Sequence, residues 1–209
     1  MTQEFTGLSI AHFHDLSMEN PCTEHVASTP CYGPWHWVAE NHCYNNRLWQ
    51  EEDKARRTDV DDAEIAASKR LIDQYNQKRN DAIEALDEAL LMELGNIELD
   101  QDARLNSETA GAMIDRLSIL ALKIYHMREQ TERSDVDEEH IANCQGKLER
   151  LMVQRQDLIG CLDELLAEVA EGRAYFKVYR QFKMYNDPTL NPYLYQQQPP
   201  MENAGRVTH

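Results

Sequence analysis

NSETAGAMIDRLSILALKIYHM, residues 106–127, is apolar on almost every side of a helix, yet it carries Asp115, Arg116, Lys123 and His126. A helix of that kind belongs in a core with neighbours on more than one side. Asn106 or Ser107 is placed to cap its first turn, and Glu108 suits the positive end of the helix dipole. Met113, Leu117, Leu120 and Ile124 form one stripe, while Ile114, Leu122 and Tyr125 cover much of the remainder. Glu108, Asp115, Leu122 and His126 fall roughly along one line, which puts an acid and an imidazole in the same space about three turns apart.

Three further long helices surround that segment. WHWVAENHCYNNRLWQEEDKARR, residues 35–57, has an inner face of Trp35, Val38, His42, Asn46, Trp49, Asp53 and Arg56, with Asn45 and Glu52 alongside. Burying an imidazole, amides and a carboxylate costs several kcal/mol, on the order of 2–7 for each unpaired polar group, so this face must meet complementary groups or line a solvated pocket. Residues 59–94 open on the acids of DVDDAE and carry Ile65, Ile72, Tyr75, Ile83, Leu86 and Leu90, with Arg79 inside the stripe and Asp73, Asn76 and Asn80 beside it. The last long helix, residues 136–172, buries Leu148, Leu151, Met152, Leu158, Leu162, Leu165 and Val169, with Arg155 in place of an apolar residue. Inward-facing arginines on two helices and inward-facing acids on two others are what a buried charge network needs.

The periodicity predicts an all-α fold, an antiparallel bundle of four long helices with short extra helices. No repeat of 20 to 50 residues is found, and strand alternation is absent. Residues 1–34 read as an extension, with a short amphipathic turn at LSIAHFHDL and then a loop. Residues 35–195 form the bundle domain, Tyr179, Phe182, Tyr185, Tyr193 and Tyr195 dock the tail on it, and 196–209 have a disordered composition. Cys22 with His25 and Cys31 with His36 have spacings that zinc sites use, but loop residues reach such spacings incidentally.

Lys plus Arg number 21 against 37 Asp plus Glu, for a formal charge of -16. Such a field opposes a nonspecific grip on nucleic acid or anionic membranes, so neither is an expected partner. Five cysteines without a CxxC pair, and an amino terminus without a basic region before an apolar run, point to a reduced cytoplasm. No stretch approaches the 18 apolar residues, roughly, that a membrane span requires.

Four stretches carry a resemblance to a known family: ENHCYNNRLWQEEDKARR at 40–57, KRLIDQYNQKRNDAIEALD at 69–87, NSETAGAMIDRLSILALKIYHM at 106–127 and QFKMYNDPTLNPYLY at 181–195. In that order they resemble the bacterial domain of unknown function DUF4254. The resemblance implies a soluble helical bacterial protein. It also implies company with the glycosyltransferases of surface-polysaccharide assembly, and so a glycosyltransferase as partner.

The residues themselves favour a polar, partly buried pocket formed by His42, Asn46, Asp53, Asp73, Asn80, Asp115, His126 and Arg155. Arg79 and Arg155 would hold the anionic groups of a sugar nucleotide or sugar phosphate, and His42 or His126, with Asp53 and Asp115, would exchange protons with it. The cofactor is unknown, and no metal is assigned. Paired Glu-x-x-His motifs of the two-metal bundles are missing from the helices richest in candidates. A metal-dependent nucleotide pyrophosphohydrolase would use pairs such as Glu84 with Asp87 and Glu168 with Glu171, which recur by chance in so acidic a chain. A GxSxG elbow and clustered glycines are absent, so neither a serine nucleophile nor a phosphate loop is expected. The competing reading is an adaptor whose buried charges fix helix register while its surface docks a partner protein.

Overall fold

The computed structural model describes residues 4–18, 33–181, 184 and 187–195. The chain separates into two compact units, residues 1–178 and 179–209. The first contains α1 (Gly7–Leu16), α2 (Pro34–Lys54), α3 (Asp62–Leu94), β1 (Arg104–Leu105), α4 (Ala110–Thr131), α5 (Glu138–Ala170) and β2 (Ala174–Tyr175). The second contains the short α6 (Pro192–Tyr195), which Asn191 opens by accepting the Tyr193 amide at 3.0 Å.

Four of the helices begin where a side chain supplies an acceptor for free amides, while α2 begins at Gly33 with Pro34 in its first turn and no side-chain cap. Thr6 and Ser9 form a reciprocal capping box on α1, Asp61 accepts from Glu64, Thr109 from Ala112 and Asp137 from His140. The LSIAHFHDL stretch is therefore a full helix, and it packs against α4 and α5. The central helix starts at Thr109 and not at Asn106 or Ser107. The reason lies upstream, where the Asn106 amide donates to the Tyr175 carbonyl as β1 pairs in parallel with β2. That bridge is the strand structure among the described residues, and it ties the connection between α3 and α4 to the end of α5.

Cross-helix pairs give the sense of neighbouring helices. Tyr44 meets Tyr75 and Glu52 meets Lys69 between α2 and α3, in opposite sense. Arg79 approaches Asp115 and Asp87 bonds Gly111 between α3 and α4, again in opposite sense. Along α2 and α4 the numbers rise together, Asn41 with Asp115 and Trp49 with His126. The core between these elements includes Ile10, Val38, Leu86, Ile114, Leu117 and Leu162. Two glycines are dictated by geometry. A Cβ on Gly111 would lie 2.8 Å from Asp87 Oδ1 and from the Ile83 carbonyl, so α3 and α4 approach as closely as backbone allows. Gly172 ends α5 at φ +77°, where a side chain would strike the Glu98 carbonyl.

Candidate functional site

Polar side chains on the seam of α2 and α4 collect into two separate groups. The first is buried. Asn41 and Asn45 donate through Nδ2 to Asp115 Oδ1 at 2.8 and 2.9 Å, and Asn45 also donates to Ser118 Oγ at 3.0 Å. His42 Nδ1 lies 2.8 Å from the same Ser118 hydroxyl. Arg79 of α3 brings its Nε to 3.9 Å from Asp115 Oδ1, inside ion-pair range, while that Nε has no hydrogen-bond partner.

His14 of α1 completes this group. Its ring stacks on His42 with centroids 4.6 Å apart and planes 22° from parallel, and the two residues are 0% and 1% exposed. Both ring nitrogens of His14 and Nε2 of His42 are buried without a hydrogen-bond partner. Burial lowers the His42 pKa to about 4, against the opposing pull of the Asp15 carboxylate. Burial also pushes His14 well below the usual histidine range, and the positive charges of His42 and Arg155 act in the same direction. At neutral pH both imidazoles are uncharged packing groups. Arg155 does not enter the group; it forms a bidentate pair with Asp15 at 2.6 and 3.0 Å between α5 and α1.

The second group is open to solvent. A cleft of about 650 Å³ lies between α2, α4 and α5, lined among others by Trp49, Asp53, Lys123, His126, Lys147 and Arg150. His126 stacks flat on Trp49, centroids 4.6 Å apart and planes 12° from parallel, and its Nδ1 lies 2.8 Å from Glu129 Oε2. Among the described residues Lys123, Lys147 and Arg150 have no carboxylate at ion-pair distance. By contrast Arg104, Arg116, Arg133, Arg155 and Arg173 each have one. Three uncompensated cations beside an aromatic platform are suited to an anionic ligand carrying an apolar or ring portion.

The residues singled out from the sequence are thus divided. His42 and Asp115 belong to the buried group, Asp53 and His126 to the cleft, and the single space expected for Asp115 and His126 is two spaces. Asn46 is buried but donates back to the His42 carbonyl at 3.0 Å. Asn80 is buried on α3, and Arg79 reaches only toward Asp115. Asp73 is exposed on α3, because the apolar stripe through Ile72 turns it outward, so it lines no buried pocket. Sequence reasoning missed His14, Asn41, Ser118, Lys147 and Arg150. Of these Asn41 sat one turn before Asn45 on a face already marked as polar, which was a usable signal.

Metal-binding pairs meet other fates. Asp87 Oδ1 accepts the Gly111 amide at 2.6 Å at the start of α4, and burial raises its pKa to about 6. Glu168 pairs with Arg104 and Arg173. Among the described residues no group of three or more His, Cys, Asp or Glu side chains could hold a metal ion. Cys22, His25 and Cys31 of the zinc reading lie outside the described residues, and His36 packs edge-on to Trp37. Cys144 and Cys161 are free thiols, and Cys43 is buried on α2. Among the described residues no helix is long and apolar enough to cross a membrane.

Comparison with protein families gives a match over residues 35–178 to the family described as protein of unknown function, DUF4254. Neither the curated proteins nor the solved structures give a match.

Proposed function

The chain belongs to the DUF4254 family, and on that premise we propose that it binds a small anionic ligand, a sugar phosphate or sugar nucleotide, in the cleft between α2, α4 and α5. The observation that carries this is the convergence of Lys123, Lys147 and Arg150, without carboxylate partners, in a protein of formal charge -16. Cations are the scarcer charge in this chain, and leaving three unpaired in one concavity supports a role in holding an anion. Asp53 and His126 stand on the rim as the groups able to exchange a proton with it. His42, Asn46, Asn80, Asp115 and the pairs of Arg79 and Arg155 then hold an antiparallel four-helix bundle in register around the cleft. Melting shifts with glucose 1-phosphate and with a nucleoside diphosphate sugar test the reading. Binding should weaken at least tenfold, roughly one lost charge-assisted contact, in Lys147→Gln/Arg150→Gln. An unshifted melting curve with both ligands would overturn it.

A second reading rests on the buried group. Asp115 accepts from two amides and is 8% exposed, as expected of a residue that fixes helix register in an adaptor. Under that reading a glycosyltransferase partner, supported by the family resemblance, docks on the surface, and the cleft cations can be replaced without effect on its capture. A cytoplasmic location belongs to both readings, and counting free thiols in protein purified under alkylating conditions tests it.

A further inference from the structure

The cleft has a neighbour beyond Lys123. Lys123 and Gln154 also line a second cavity of about 580 Å³, so the two spaces adjoin along the groove between α4 and α5. From Met113 to Met127 that groove covers roughly 20 Å at the helical rise per residue. Its two halves differ in chemistry. The first half holds Lys147 and Arg150 near Lys123, three cations against the Asp53 carboxylate. The second is floored by Met113, Ile119, Leu120 and Leu158, and its charges include the carboxylates of Asp157 and Glu108. Glu108 is neutralised by Arg116 at 2.8 Å, whereas Asp157 has no such partner among the described residues.

That polarity orients an occupant. An anionic head is attracted to the three cations and repelled by Asp157, so it settles at the end near Trp49 and His126. Whatever is attached to the head runs along an apolar floor, and a sugar would leave that floor covered only by water. A long, flexible, apolar chain gains about 25 cal/mol per Å² that it covers there. A phosphate monoester supplies up to two negative charges against three positive ones, which a carboxylate does not.

We propose that the ligand is an anionic amphiphile, the phosphate monoester of a long-chain alcohol, with its phosphate on Lys123, Lys147 and Arg150 and its chain along Ile119, Leu120 and Leu158. The assignment rests on the anion-binding reading of the cleft, keeping its phosphate and putting an apolar chain in place of the sugar. The amphiphile is a molecule with one charged end; a surface of lipid is not required to present it.

Titration of the full chain with glycerol phosphate and with butyl, octyl and dodecyl phosphate, each below its micelle concentration, tests the assignment by calorimetry. Affinity should rise about twofold per methylene for a half-buried chain, until the groove is filled. Ile119→Asn should remove most of the gain from butyl to octyl while leaving glycerol phosphate binding unchanged. Lys147→Gln/Arg150→Gln should weaken every member by a common factor. The chain-length series requires no variant, so a misfolded Ile119→Asn leaves the test standing. Equal affinity for glycerol and dodecyl phosphate overturns the amphiphile and keeps the anion site. Binding of none of the four overturns both. Dodecyl maltoside binding as tightly as dodecyl phosphate means that the apolar surface alone is at work, and that also overturns the proposal.

Discussion

His42 and His126 occupy the same seam between α2 and α4, and each stacks on one aromatic ring, yet the two are opposites. His42 is 1% exposed, lies against His14 and has an orphaned Nε2. His126 keeps 35% of its side chain exposed, lies against Trp49 and answers to the Glu129 carboxylate at 2.8 Å. A buried imidazole is committed to its neutral form and serves packing, whereas a solvated one beside unpaired cations is free to meet a ligand. Residue type and helix face were equal in the two cases. What separates them is the presence of α1, which covers His42, and the absence of any such cover over His126 among the described residues.

Perturbing the buried end should be costly. Asp115→Ala leaves the Asn41 amide without its acceptor, removes one of those of Asn45 and leaves Arg79 without its nearest acid, and should lower unfolding free energy by about 3 to 5 kcal/mol in urea titrations. A loss below about 1 kcal/mol would mean that the network adds no stability and would break the contrast with the cleft.

Acid gives the next largest effect. His42 has a folded pKa depressed to about 4, so its contribution is intact above the unfolded value near 6.5 and is lost as pH falls from there toward 4. The loss amounts to about 3 kcal/mol across that window, with His14 adding to it, and His42→Gln should flatten the curve. Asp87 slopes the other way. Its folded pKa is raised to about 6, so the folded state holds the proton longer than the unfolded chain does, and stability falls as pH rises from about 4 to 6. Asp87→Asn should remove about 2 to 3 kcal/mol of that fall, read from urea midpoints across the window.

At the open end the prediction is nearly nothing. Lys147→Gln and Arg150→Gln should each change unfolding free energy by less than about 0.5 kcal/mol. Larger losses would show that these cations serve the fold, and would erase the distinction drawn between the two histidines.

Helical periodicity made the four long helices legible, because their apolar stripes are long and their ends carry acids or glycine. Helix starts were legible only where nothing competed; Asn106 was expected to cap α4, but its Oδ1 accepts from Arg104 and its backbone amide is held by Tyr175 across the two-residue bridge. For the site, the face was legible and the depth was not. Asp115 and His126 both look toward α2, as their spacing implies, but eleven residues of helix separate them by about 16 Å, and buried Leu122 fills the interval. Lys147 and Arg150 were invisible because a lysine and an arginine on an acidic helix look like ordinary solvated residues until their lack of partners is seen.

The matched segment begins at residue 35, but α1 contributes Ile10 and His14, both 0% exposed, and its Gly7 amide donates to Asp163 at 2.7 Å. A polypeptide trimmed to the matched segment would therefore present the His42 ring and the Trp35 edge to water, and its solubility would report on missing cover and not on the family's own fold.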